Sequence, residues 1–389
     1  MLPLLFQTIN RRITNEIMGK KIKQIAGFAL SFLIGVVGAL AILSLPPLFG
    51  LSEGTLSLIV GFAFAGICFI LHVFIHEFGH LIGGKMSGYE FVSIRFFNIA
   101  FIKKDGKLLV KKYNVAGTGG QCLMSPPEMK NGTYPFVLYL LSGSLLNFLA
   151  SAISLAIFFI FLPQSSAFAI FAVVGILAGI LNIVPMNLGI PNDGLMTLTL
   201  RKNESARYSL WLLSDIVAQF AKGMRPRDIP ENKFDFLDNL SEKDKNNALV
   251  FNIEYYRFGW LIHRREFEKA KALAEHLLKA ENILEIFKNE FTCELLFLEL
   301  IGECRKEEIE RLYTKDIKNY IKATSSYVSR QRLLYAYAKL FLQDDAQATK
   351  ALEKFNKVSL SYPYDGEIEG NRELIEMVDK LAIEKKNFQ

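Results

Sequence analysis

The chain has 389 residues, 51% of them hydrophobic, with 45 Lys and Arg against 39 Asp and Glu and a formal net charge of +6. That length allows two domains, and so modest a positive balance calls for no nucleic acid partner. Mean hydropathy is +0.24, but the long charge-free runs precede Arg201 and most of the charge follows it. This excludes one uniformly soluble domain and reads as a membrane half followed by a soluble half.

Residues 1–23 carry Arg11, Arg12, Lys20, Lys21 and Lys23, a basic flank. The apolar stretch Leu2 to Phe6 is too short for a good signal peptide. The uncharged run 24–52 supplies about 22 residues before Pro46, enough to cross a hydrocarbon core of roughly 30 Å. A second helix is expected over about 55–83. The segment 85–131 is basic, with Lys85, Arg95, Lys103, Lys104, Lys107, Lys111, Lys112 and Lys130. Within it, 91–102 is rich in Phe, Ile and Val, and Asp105-Gly106 before Leu108 to Val110 is a hairpin signal; the alternative is a flexible loop. A small β insertion is therefore expected over about 88–124. No charge occurs in 131–192, where two more helices fit, about 135–161 and 167–184. Lys and Arg set orientation, so four spans leave both termini cytoplasmic. The expected class is an α-helical polytopic membrane protein, with its membrane domain over 24–200 embedded in the lipid bilayer.

Beyond Arg201 the pattern is amphipathic over 204–220, with Leu210, Leu213, Val217 and Phe220 on one face. Such a helix either lies on the membrane surface or starts the soluble domain. The charged stretch 225–247 reads as a linker, making 201–247 an amphipathic helix and linker. From 248 to 389 the chain reads as a soluble all-α domain. Ala270 and Ala274 beside Tyr255, Trp260 and Phe267, and Ala338 and Ala351 beside Phe341 and Phe355, resemble tetratricopeptide-type repeats; an ordinary helical bundle fits as well. Cys68, Cys122, Cys293 and Cys304 form no Cys-x-x-Cys pair and read as reduced, mostly buried thiols.

The chemistry concentrates at His76-Glu77-Phe78-Gly79-His80, near the far end of the second span. On a helix, His76 and His80 lie one turn apart on one face. Two imidazoles at that spacing can bind one Zn²⁺, and Glu77 can reach a water that the ion acidifies to a pKa of roughly 7. Ionisable residues at membrane depth are costly and mark function. A catalytic zinc site needs a third ligand and an open position. Asp193 is the one acid that ends the uncharged stretch, and it either completes the site or caps the next helix. His72 lies about 12 Å along the helix axis from His80, too far to share one ion with both, and reads as cavity-lining or hydrogen-bonded.

A His-Glu-x-x-His on a membrane helix, then Asn182-Ile183-Val184-Pro185 and Asp193-Gly194, resembles the site-2 protease family of intramembrane zinc metalloproteases. The family's Gly-Pro-x-x-Asn has its counterpart in Gly143-Ser144-Leu145-Leu146-Asn147, with Ser in place of Pro, and its Gly-Gly in Gly119-Gly120. The gap from Pro185 to Asp193 is longer than the family's. The resemblance covers about 55–200. It implies His76, His80 and Asp193 as ligands of one Zn²⁺ and Glu77 as general base. It also implies a membrane-spanning or membrane-bound peptide as substrate, with Asn147 and Asn182 as oxyanion or substrate-positioning amides. Those amides serve equally well as helix–helix hydrogen bonds. Gly119 and Gly120 would contact a substrate strand, and the helical domain would bind a protein partner. Two rival readings are a membrane adaptor with a vestigial zinc site, which the intact His76, Glu77, His80 and Asp193 argue against, and a metal transporter.

Overall fold

The computed structural model describes residues 55–387 except 105, 113–118, 164, 188–190, 246, 281–282 and 284, together with isolated positions 35 and 38. Apart from those two positions, the span expected over 24–52 lies outside the described residues. The chain divides into two compact units. Met1–Phe97, Ala116–Cys122 and Tyr134–Lys202 make the first, and Asn98–Val115, Leu123–Thr133 and Asn203–Gln389 the second.

In the first unit, helices α1 (Thr55–Met86), α2 (Phe136–Ile160) and α3 (Ser166–Ile183) pack together, followed by α4 (Asp193–Lys202). Among the described residues, α1, α2 and α3 are long and apolar enough to cross a membrane. Their polarity is the reverse of a soluble bundle. On α1 the buried positions include Cys68, His72, His76, Glu77 and His80, while Leu56, Ile59, Phe62, Ile67 and Phe69 are exposed. On α2 the buried set is dominated by Ser142, Gly143, Ser144, Asn147, Ser151 and Ser154. Helices that meet through small and polar residues and turn Leu, Ile and Phe outward suit a lipid solvent.

Four strands follow α1: β1 (Glu90–Phe96), β2 (Ile99–Lys104), β3 (Lys107–Lys112) and β4 (Gly120–Ser125), in the order β3-β2-β1-β4. Lys104 pairs with Lys107 across the expected hairpin, and Gly106 sits at φ +77°. The single extended run expected over 91–102 is instead two strands. Phe97 sits at φ 53° and turns the chain. Its N–H donates to the Gly119 carbonyl at 2.8 Å, and its ring meets Phe74. No glycine or proline marks that turn, and Asn98 is its one turn-favouring residue.

The second unit begins with α5 (Glu204–Ala221), capped by the Asn203 side chain, which accepts from the Ala206 N–H at 2.6 Å. Leu212, Ile216 and Phe220 are at most 1% exposed in this unit's core. Of the two alternatives, then, the helix packs into the second unit. Its buried stripe is rotated from the expected face, since Leu210 and Val217 are only partly buried. Nor is 225–247 a linker: it forms short helical turns and buries Ile229, Phe234 and Leu237. The Trp260 indole N–H donates to the Ile229 carbonyl at 2.9 Å.

Further helices include α6 (Ala248–His263), α7 (Phe267–Leu277), α8 (Glu285–Ile301), α9 (Val328–Ala336), α10 (Asp345–Ser361) and α11 (Asp365–Asn387). The small-residue positions Ala270 and Ala274 are fully buried, as is Phe355. All four cysteines are free, three of them buried. The α8–α9 seam also buries charge: Arg330 pairs with Glu290 and Arg332 with Glu294. The hydroxyls of Tyr255 and Tyr320 donate to Glu290 at 2.7 and 2.6 Å. Removing one partner of a buried pair strands the other charge. Arg330→Met should therefore destabilise this unit by about 3–5 kcal/mol, read from denaturant unfolding of the purified chain by Trp fluorescence. A loss below about 1 kcal/mol, the value of an exposed pair, would mean Glu290 finds water instead.

Candidate metal centre

α1 runs without proline, so His76 and His80 keep helical spacing and project side by side, with ring centroids 4.7 Å apart. Both are buried, at 9% and 8% exposure, and so is Glu77 at 7%. His76 Nε2 lies 3.1 Å from His80 Nε2 and 3.1 Å from Asp193 Oδ2, and His80 Nε2 lies 3.5 Å from the same oxygen. These three residues form a group able to hold a metal ion.

Asp193 is held there by the residues that flank it. α3 ends before Val184-Pro185, and an isolated bridge joins Asn187 and Pro191 ahead of Asp193. Asn192 then ties both helices. Its amide donates to the carbonyls of Leu181 and Val184 at 2.7 and 2.6 Å. Its oxygen accepts from the N–H groups of Met186 and Leu195 at 3.1 and 2.9 Å. Gly194 packs on the end of α3 so closely that a Cβ there would lie 2.0 Å from the Ile183 carbonyl oxygen. Any larger residue would push Asp193 away from the imidazoles. Asp193 is thus both the first residue of α4 and the partner of the two histidines.

The fit to zinc rests on the donor set. Two imidazole nitrogens and one carboxylate oxygen are a catalytic zinc trio with a fourth position open. Ligands at about 2.0–2.2 Å with tetrahedral angles stand roughly 3.3 Å from one another, close to the separations of 3.1, 3.1 and 3.5 Å seen here. The far nitrogen of His80, Nδ1, is 2.7 Å from the Tyr139 carbonyl, to which it can only donate. That bond keeps the His80 Nε2 lone pair free for a metal.

The other expected residues fall as follows. Gly120 opens β4 directly against Glu77, and a Cβ there would sit 2.4 Å from Glu77 Oε1. Gly119 precedes it, and its carbonyl accepts from the Phe97 N–H. Asn147 is 1% exposed, with His72 Nδ1 at 3.2 Å from Oδ1 and His76 Nδ1 at 3.5 Å from Nδ2. Asn182 is not drawn into this group: its amide donates to the Ala178 carbonyl of its own helix at 3.1 Å. His72, fully buried, places Nε2 3.0 Å from the Phe171 carbonyl.

Three contributors were not foreseen. Asn192 sits inside the Pro191-Asn192-Asp193-Gly194 motif and its capping chemistry was a readable signal. Arg95, counted from sequence among the loop's basic residues, is 3% exposed and donates to the carbonyls of Phe97 and Gly120. The Tyr139 carbonyl carries no side-chain signal at all. In comparisons with known proteins, no family model, no curated protein and no solved structure matches this chain.

Proposed function

We propose that this protein is a membrane-embedded zinc endopeptidase that cleaves a membrane-spanning or membrane-bound peptide near the cytoplasmic face. The observation that carries the reading is the convergence of His76 Nε2, His80 Nε2 and Asp193 Oδ2 within 3.5 Å, with Glu77 on the same helical turn of a helix whose outer face is apolar. The resemblance of these motifs to the site-2 protease family supports it.

Zinc, when bound, supplies a Lewis acid that polarises the scissile carbonyl and the attacking water. The chain's own groups do the rest. Glu77 accepts the water's proton and returns it to the leaving amine. Gly120 leaves room for that carboxylate, because a side chain there would collide with it. β4 is an outer strand of the sheet and starts beside Glu77, which suits a substrate held extended by strand addition. Residues 85–131 and 201–202 face the cytoplasm on this reading, as do both termini.

The helical unit is tetratricopeptide-like on this reading and binds a protein partner. It carries an open groove of about 720 Å³ whose lining includes Leu295, Leu298, Leu312, Lys271, Glu303 and Arg311. The test of the function is a membrane-proteome comparison of cells making the wild type with cells making Glu77→Gln. Membrane proteins that lose a cleaved fragment only in the variant are the expected result, and two indistinguishable proteomes would favour the adaptor.

A further inference from the structure

His72 takes no part in the chemistry above, yet it is fully buried and hydrogen-bonded at both ring nitrogens. Its slot is shaped for it. Gly175 on α3 faces the ring so closely that a Cβ there would sit 2.2 Å from His72 Cε1. The Phe171 ring lies against it at a centroid distance of 4.2 Å. The ring orientation is therefore fixed by packing before any hydrogen bond is considered.

The proton positions follow from the partners. A carbonyl only accepts, so the nitrogen facing Phe171, Nε2, carries hydrogen. Neither of the ring's hydrogen-bond partners is anionic, and an unpaired charge at membrane depth is expensive. The ring is then the neutral Nε2–H tautomer, and its Nδ1 is an acceptor. The end of the Asn147 amide that faces His72 Nδ1 must accordingly be the NH₂. The two ends of an amide are interchangeable by a half-turn of the side chain, so the amide oxygen turns to His76 Nδ1. An oxygen there accepts from an Nδ1–H, and His76 with its proton on Nδ1 presents a bare Nε2 toward Asp193 and His80. The opposite amide polarity would set an NH₂ against His76 Nδ1 and force the proton onto Nε2, where no metal could bind.

We propose that His72, acting through Asn147, is a positioning residue that sets the polarity of that amide and so holds His76 in its metal-binding tautomer. The Tyr139 carbonyl does the same for His80 directly. The two ligands of α1 are thus oriented by unlike devices, a backbone carbonyl for one and a His–Asn pair for the other. An amide intermediary orients His76 without adding negative charge to a centre that already holds Asp193 and Glu77. Asn147 is on this account a support for the metal ligand, with both polar ends engaged, rather than a donor to substrate.

The inference rests on the zinc reading of His76, His80 and Asp193, and the experiment separates the two. Zinc affinity is measured by competition with a chelator on the purified, detergent-solubilised full chain, for the wild type, His72→Leu, His72→Gln and Asn147→Asp with and without His72→Leu. Outer-shell partners typically tune metal affinity by about 10- to 100-fold, and a loss of that size is expected for His72→Leu. His72→Gln should restore most of it, since one amide can donate to Phe171 while accepting from Asn147. In the Asn147→Asp background the carboxylate accepts from His76 unaided, so adding His72→Leu should cost nothing further. Wild-type affinity in His72→Leu overturns the inference and leaves the metal centre standing. Equal losses in His72→Leu and His72→Gln, or an undiminished loss in the Asn147→Asp background, also overturn it, because they mark mere packing. If the wild type itself binds no zinc, the metal reading fails, and the inference with it.

Discussion

Purified Glu77→Gln is expected to bind zinc as the wild type does and to cleave peptide at least about two orders of magnitude more slowly, the usual scale of general-base catalysis. The geometry separates the two properties. Glu77 shares the helical turn of His76 and His80 but is not among the three converging donors. Glutamine has the same length and fills the same place against Gly120, where there is no room for a larger change. Only the ability to take a proton is lost. The measurement pairs metal content per chain with single-turnover cleavage of a fluorogenic membrane peptide. A variant that keeps wild-type rate removes Glu77 from the mechanism and the endopeptidase reading with it.

The second large effect concerns Asp193. It is the one anionic member of the donor trio, and its position depends on Asn192 and Gly194 rather than on the helix that carries the histidines. Asp193→Ala should lower zinc retained after mild chelation from near one ion per chain to near none, as should His80→Ala. Asn182→Ala should leave it unchanged, because that amide bonds within its own helix. Full zinc retention in Asp193→Ala would show that the carboxylate merely caps α4 and that another group completes the site.

What the sequence made legible follows how local each signal is. His76 and His80 are brought together by one helical turn, a relation that spacing alone carries. Asp193 stood out as the single charge closing a long uncharged stretch, and solvent polarity made it conspicuous. The helix bounds followed for the same reason: 55–83 and 135–161 were expected, and Thr55–Met86 and Phe136–Ile160 are found. What stayed hidden depends on where distant chain returns. Arg95 looks like any surface cation until β4 brings the Gly120 carbonyl to it. The partner of His80 is a backbone carbonyl, which every residue possesses. The turn at Phe97 uses a positive φ without glycine. In the helical unit, nothing local in the sequence sets Glu290, Glu294, Arg330 and Arg332 apart from other charged residues, and only their pairing reveals them as core.

The second unit is not one stretch of chain: it draws on Asn98–Val115 and Leu123–Thr133 as well as everything from Asn203 onward. Lys104 on the β2–β3 hairpin bonds to Asp365, 261 positions later, and Lys111 donates to the Tyr362 carbonyl at 2.6 Å. This imposes an order on biosynthesis. His76, His80 and Asp193 have all been synthesised before Asn203 is, whereas the hairpin waits for the last helix before it can close its contacts. Closing so long a loop is slow relative to local helix formation. The nascent chain therefore passes through a stage in which His76, His80 and Asp193 are all present and the hairpin has not yet met the last helix. No single cut yields the helical unit whole. A fragment beginning at Asn203 lacks both earlier segments, and a cut after Lys222 strips Leu212, Ile216 and Phe220 from the core they fill.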